Sequence, residues 1–110
     1  MKTSPTQRSL AYLRKLGYSV GVTEKWNSYV CIRQDLFGFI DMIAIKPGEI
    51  LAVQTTTNAH VPERVRKIRS IPESMKWLES GGKIQVHGWS QKGARGKRKL
   101  WQVNVIDYQG

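Results

Sequence analysis

Two apolar runs, Phe39 to Ile45 and Ile50 to Thr55, flank the tetrapeptide Lys46-Pro47-Gly48-Glu49. Pro-Gly punctuation between two such runs predicts a pair of strands joined in a hairpin. Ahead of it, Ser4-Pro5-Thr6-Gln7 has the composition of a helix start, with Ser4 as cap, Pro5 at the first helical position and Gln7 completing a capping box. Leu10, Leu13 and Leu16 continue as a helical stripe that Gly17 ends. Tyr18, Val20 and Val22 then alternate with Ser19, Gly21 and Thr23, the period of a half-buried strand, and Thr23 to Ser28 reads as loop. Pro62 and Glu63 open a long helix with Val65 and Ile68 inward. Ser70-Ile71-Pro72-Glu73 kinks or restarts it before Met75 and Leu78, and Gly81-Gly82 stops it. Ile84, Val86 and Gly88 alternate with polar neighbours, as do Trp101, Val103 and Val105, which predicts a final hairpin around a basic loop. The order helix, strand, hairpin, long helix, strand, strand fits one α/β layer sandwich over residues 1–110.

The hairpin contains a polar pair. A four-residue turn at 46–49 sets Ile45 opposite Ile50, Ile43 opposite Ala52 and Asp41 opposite Gln54, and directly opposed Cβ atoms lie about 4.5 to 5.5 Å apart. Thr56 points to the same face. The other face carries Ile40, Met42, Ala44, Leu51 and Val53, so both faces are apolar and call for cover. Burying an acid there is costly unless it is bonded or functional. One reading is that Asp41 and Gln54 bond to each other or to a helix end; the other is that they belong to a site.

Composition narrows the choice. Lys and Arg total 18 against 8 Asp and Glu, a formal charge of +10 with a pI near 10.1, which points to a polyanionic partner, nucleic acid first. The 40% hydrophobic content suits a folded globule, no apolar run is long enough to cross a bilayer, and MKTSPTQRSL lacks a signal-peptide core, so an intracellular, cytoplasmic location is the expectation. The lone Cys31, in YVCI, reads as a buried structural thiol. Lys92, Arg95, Lys97, Arg98 and Lys99 crowd the segment QKGARGKRK, where the bland alternative to phosphate contact is a solvated hairpin tip. Arg64, Arg66, Lys67 and Arg69 form a second cluster whose helical spacing sends them to more than one side. Trp77 and Trp101 read as core; Trp26, in EKWNSY, is the candidate for stacking on bases.

The segments GFID (38–41) and ILAVQTT (50–56), with RQDLFGFIDMIAI and RVRKI around them, resemble the PD-(D/E)XK nuclease superfamily, and within it small resolvase-like and restriction-endonuclease-like proteins of phages and bacteria. In that superfamily an Asp on one strand and an acid-x-Lys on the next hold magnesium. The resemblance implies a three-layer α/β sandwich around a central mixed sheet, with Asp41 as the strand acid, Gln54 in the place of the second acid and Thr56 in the place of the Lys. Residues 1–23 contain no Asp or Glu, so the first-helix acid of archaeal-type Holliday junction resolvases has no counterpart there. Mg²⁺ or Mn²⁺ would then be held by Asp41, the Gln54 amide oxygen, the Thr55 carbonyl and a substrate phosphate. Asp35 is either a second carboxylate or an Asx-turn residue. Arg64 and Lys67 are placed to replace the missing Lys, Lys46 is too far along the turn, Glu49 reads as solvated, and His60 reads as structural or surface. The implied function is a divalent-metal-dependent DNA endonuclease acting on branched or other structured DNA, as a homodimer. The alternative is a DNA-binding module that kept the fold and lost catalysis; an RNA-binding or purely structural basic protein leaves Asp41 idle.

Overall fold

The computed structural model describes residues 4–93, 96 and 99–110. Helix α1 (Pro5–Lys15) starts at a full capping box: the Gln7 N–H donates to the Ser4 hydroxyl and the Ser4 N–H to the Gln7 side chain. Ser9 and Leu13 are its buried residues. Leu16, expected on the same stripe, is exposed instead, because it forms the C-cap and Gly17, at φ 97°, turns the chain away.

Strands β1 (Ser19–Val22), β4 (Met42–Lys46), β5 (Glu49–Thr57), β6 (Lys83–Lys92) and β7 (Leu100–Tyr108) form one sheet in the order β1-β4-β5-β6-β7. Only β5 and β6 run parallel, so the sheet is mixed. Helices α2 (Val61–Arg69) and α3 (Pro72–Glu79) make the crossover between them. On one face Leu13 of α1 packs on Met42, Ala44, Leu51 and Val53. On the other, Ile68 and Val61 of α2 pack on Phe39, Ile40, Ala52, Ile84 and Val86. Both faces of the central hairpin are covered, which explains its double apolar pattern.

The fold departs from the sequence pattern in several further places. Strand β4 starts at Met42 rather than at residue 39, because Leu36 to Phe39 form a tight turn in which Phe37 (φ 55°) and Gly38 (φ 82°) take left-handed conformations. Ile40 consequently joins the α2 side rather than sharing a face with Met42. The segment expected to be loop contains β2 (Lys25–Asn27), which pairs with β3 (Ile32–Gln34) in a separate two-stranded ribbon. Cys31, expected to be buried, is exposed in that ribbon, and Trp101, expected in the core, is exposed with the Arg8 guanidinium 3.3 Å above its ring.

A polar chain, buried at Ser9 and His87 and reaching the surface at Asp107, ties α1 to the sheet. The Trp89 indole N–H donates to Ser9 Oγ (2.9 Å), which lies 2.8 Å from His87 Nδ1; His87 Nε2 lies 3.0 Å from Gln85 Oε1, and the Gln85 amide donates to Asp107. Asp107 can only accept, so every bond takes one direction: Gln85 Oε1 accepts from His87 Nε2–H, and His87 Nδ1 accepts from the Ser9 hydroxyl. Burial pushes His87 down to about 4, which keeps the imidazole neutral. This chain fixes the pose of α1, whose N-terminus overhangs the end of the sheet described next. Among the described residues no helix is long and apolar enough to cross a membrane.

Candidate metal centre

Strand β4 leaves β5 at Met42, opposite Val53, while β5 runs on to Thr57. Gln54 to Thr57 are therefore paired through the sheet only with β6. In a strand the N–H and C=O of one residue point to the same side, and Val53 C=O accepts from the Asp41 N–H, so Thr55, two residues on, also turns its N–H and C=O toward the gap. Asp41 fills part of that gap. Its Oδ2 accepts from the Thr55 N–H at 2.7 Å, the Thr55 hydroxyl at 3.2 Å and the Gln54 amide at 3.2 Å. The cross-strand proximity of Asp41 and Gln54 follows from the hairpin register.

Two further acids converge here. The same Gln54 Nε2 lies 3.2 Å from Asp35 Oδ2, so Asp35, at the end of β3, is a carboxylate of the cluster. Glu24 enters from the start of β2, held by its own N–H and that of Thr23 on the Asp41 carbonyl, and by the Thr6 hydroxyl on its Oε1 at 3.2 Å. Each of Glu24, Asp35 and Asp41 offers an oxygen within 4.8 Å of the others, a group that could hold a metal ion. Sequence reasoning missed Glu24, although it is the one acid in the first 34 residues. Its position depends on backbone hydrogen bonds to Asp41 that no periodicity announces.

The carboxylates are electrostatically crowded. Burial, then the hydrogen bond and negative charge of Asp35, push the Asp41 carboxyl up to about 8. Burial also works to raise Asp35, but hydrogen bonds from Asp41 and Gln54 and the nearby Lys67 and Arg64 outweigh it and hold Asp35 below the ordinary carboxylate value. The two carboxylates titrate as a coupled pair, with Asp41 the one pushed toward its protonated form.

Cations and a helix end surround the acids in a cleft of about 410 Å³ lined by Ser4, Thr6, Glu24, Asp35, Asp41, Gln54, Thr56, Arg64 and Lys67 among others. Lys67 Nζ is 3.6 Å from Asp35 Oδ2, and Arg64 Nε is buried without a partner among the described residues. Thr56, which the resemblance sets in the place of a Lys, is buried in the cleft wall. His60 also lines the cleft, but pairs with Glu63 at 3.4 Å. Lys46 and Glu49 lie at the far hairpin turn, and Glu49, expected to be solvated, is bonded to Tyr18 and Lys83. Comparison of the chain with protein-family models found no match, and a search of curated proteins found no relative.

The donor set passes a test of fit for a hard divalent cation. Three carboxylates and an amide are all oxygen-bearing, and Gln54 Oε1 is buried with no hydrogen-bond partner among the described residues. A half-turn of the amide exchanges its NH₂ and its oxygen, so that oxygen can be presented toward a cation. Because β5 and β6 are parallel, the β6–β7 hairpin end also lies at this end of the sheet. Its flanking Lys92 and Lys99 are exposed, whereas Arg95, Lys97 and Arg98 lie outside the described residues.

Proposed function

We propose that this chain is a divalent-metal-dependent DNA endonuclease of restriction-endonuclease-like fold, related to the PD-(D/E)XK nucleases, with Mg²⁺ or Mn²⁺ as cofactor. The observation that carries the reading is the convergence of Glu24, Asp35 and Asp41, with the Gln54 amide bonded to both aspartates, at the point where β4 leaves β5. Glu24 and Asp35 supply the charge missing at Gln54. Lys67 supplies, from α2, the ammonium missing at Thr56.

When bound, the metal would supply Lewis acidity and a lowered pKa for water. Asp41, Asp35, Glu24, Gln54 and the Thr55 carbonyl would hold it. In hydrolysis the water oxygen bonds to phosphorus, one phosphodiester P–O bond breaks, and the departing alkoxide takes up a proton. Lys67 is placed to orient the water and to stabilise charge on the phosphoryl oxygens. Arg64, which lines the same cleft, is placed to bind the phosphate through its guanidinium. The N-terminus of α1 has no acid in its first turn and lies at the cleft with Ser4 and Thr6, so its dipole favours the same anion. Branched DNA is the proposed substrate and a homodimer the proposed assembly, since paired cuts on a symmetric junction need two sites.

The competing reading, a DNA-binding protein that has lost catalysis, draws on Gln54 and Thr56 themselves. Cleavage of linear, branched and single-stranded DNA in Mg²⁺ or Mn²⁺ decides between them. Wild type should cut, and Asp41→Asn should abolish cutting while keeping DNA affinity in EDTA. Tight binding without cleavage of any of these substrates would establish the non-catalytic reading.

A further inference from the structure

The ribbon β2–β3 stands outside the main sheet, yet its two strands spring from the acid cluster: Glu24 immediately precedes β2 and Asp35 immediately follows β3. Its exposed side chains include aromatic rings beside the aliphatic Val30 and Ile32. Trp26 is 62% exposed, Tyr29 97% and Phe37, just past Asp35, 54%. Phe37 also holds a left-handed backbone at φ 55°, a conformation that a bulky side chain adopts at a cost. The sequence from Lys25 to Gln34 contains Lys25 and Arg33 and no acid. Trp26 and Arg33 are register partners across the ribbon.

We infer that the ribbon is a stacking arm for unpaired nucleotides of a DNA strand whose phosphate lies in the acid cleft; this rests on the nuclease reading above. A DNA strand seated at Glu24, Asp35 and Asp41 sits at the root of the ribbon, so its next nucleotides run along it. Aromatic faces stack on any base without sequence preference, and stacking requires the base to be out of the duplex. The cationic strands favour a polyanion over an apolar protein partner. The arm therefore selects DNA with a single-stranded or splayed segment beside the cut and discriminates against continuous duplex.

The test is anisotropy binding in EDTA with three DNAs of equal length: duplex, single strand and a three-way branch carrying 2-aminopurine at an unpaired position. Trp26→Ala/Tyr29→Ala should lose about ten- to a hundred-fold affinity for the branch and the single strand, lose less than about twofold on duplex, and abolish the 2-aminopurine quenching seen with wild type. Trp26→Phe, which keeps a ring, should retain most of the affinity, and an unchanged circular dichroism spectrum confirms folding. Equal affinities of wild type and double variant would overturn the inference. So would a wild-type dimer that the variant dissolves without any change in fluorescence, since the ribbon would then be a protein interface. Cleavage is scored separately in Mg²⁺. Cleavage by wild type with no ribbon effect on binding sinks the arm alone, whereas ribbon-dependent binding without cleavage sinks the nuclease reading and leaves the arm standing.

Discussion

Lys67 reaches from α2 across the cleft to place its Nζ 3.6 Å from Asp35 Oδ2. The two side chains arise 32 residues apart and meet only because the crossover helix returns over the open end of β5. On the proposed nuclease reading, the ammonium beside the acids thus comes from a helix rather than from the strand position held by Thr56.

That substitution of origin is testable. Lys67→Ala should reduce cleavage by about 100-fold, the scale of removing one donor that stabilises developing charge, with little change in melting temperature because the pair is partly exposed. Adding Thr56→Lys in the Lys67→Ala background should restore part of the rate. Single-turnover kinetics would read both; an unaffected rate in Lys67→Ala would remove Lys67 from the chemistry.

A second prediction follows from the coupled pair. The Asp41 carboxyl, raised from 3.8 to about 8, keeps in the folded state a proton that the unfolded chain releases. Its stabilising contribution is therefore fully present below about pH 4 and is lost as pH rises toward 8. Asp41→Asn removes that slope, so in EDTA the variant should gain in melting temperature relative to wild type between pH 5 and pH 8.5. Because a cation requires the deprotonated acid, Mn²⁺ binding at pH 7 should release about one proton and tighten up to about pH 8. Calorimetry in buffers of different ionisation enthalpy measures the release; a proton-independent enthalpy would argue against Asp41 as a ligand. His87 acts in the opposite sense: lowered from 6.5 to about 4, it contributes stability above its unfolded value that is lost as pH falls through 4.

The basic loop gives a third. Replacing Lys97, Arg98 and Lys99 by Ala should reduce the slope of log affinity against log salt by roughly 1 to 3 units, each phosphate contact contributing about 0.9. Stability should stay within about 0.5 kcal/mol, the usual range for surface substitutions, if the loop's role is phosphate contact alone. Salt titrations with unchanged slope would make the loop a solvated tip.

The hairpin register was readable from residues 39–56 because alternation, a Pro-Gly turn and a single polar pair all agree, and the contact of Asp41 with Gln54 follows from it. The capping box at Ser4 was equally legible, being purely local. The ribbon was not. Its strands are three residues each with no burial period, and its apolar residues face outward, so YVCI gives the composition of a core strand while Cys31 is exposed. Glu24 was missed for the same reason, since it is placed by a tertiary backbone contact. Trp101 alternates with Val103 as a core residue would, yet the pattern carries no information about how far a helix covers that end of β7; only the Arg8 side chain of α1 lies over its ring, and Trp101 stays exposed.

The early departure of β4 leaves one side of β5, from Gln54 onward, without a neighbouring strand. Such a half-open edge is a template for any extended segment of another molecule, and proteins guard edges with inward-pointing charge. Here the guard is the acid cluster itself: an incoming strand would have to set its carbonyl oxygens against Asp35, Asp41 and Glu24. The charges that suit the cleft to a cation thereby also oppose the addition of a further strand at this edge, and a substitution that neutralises them weakens both properties at once.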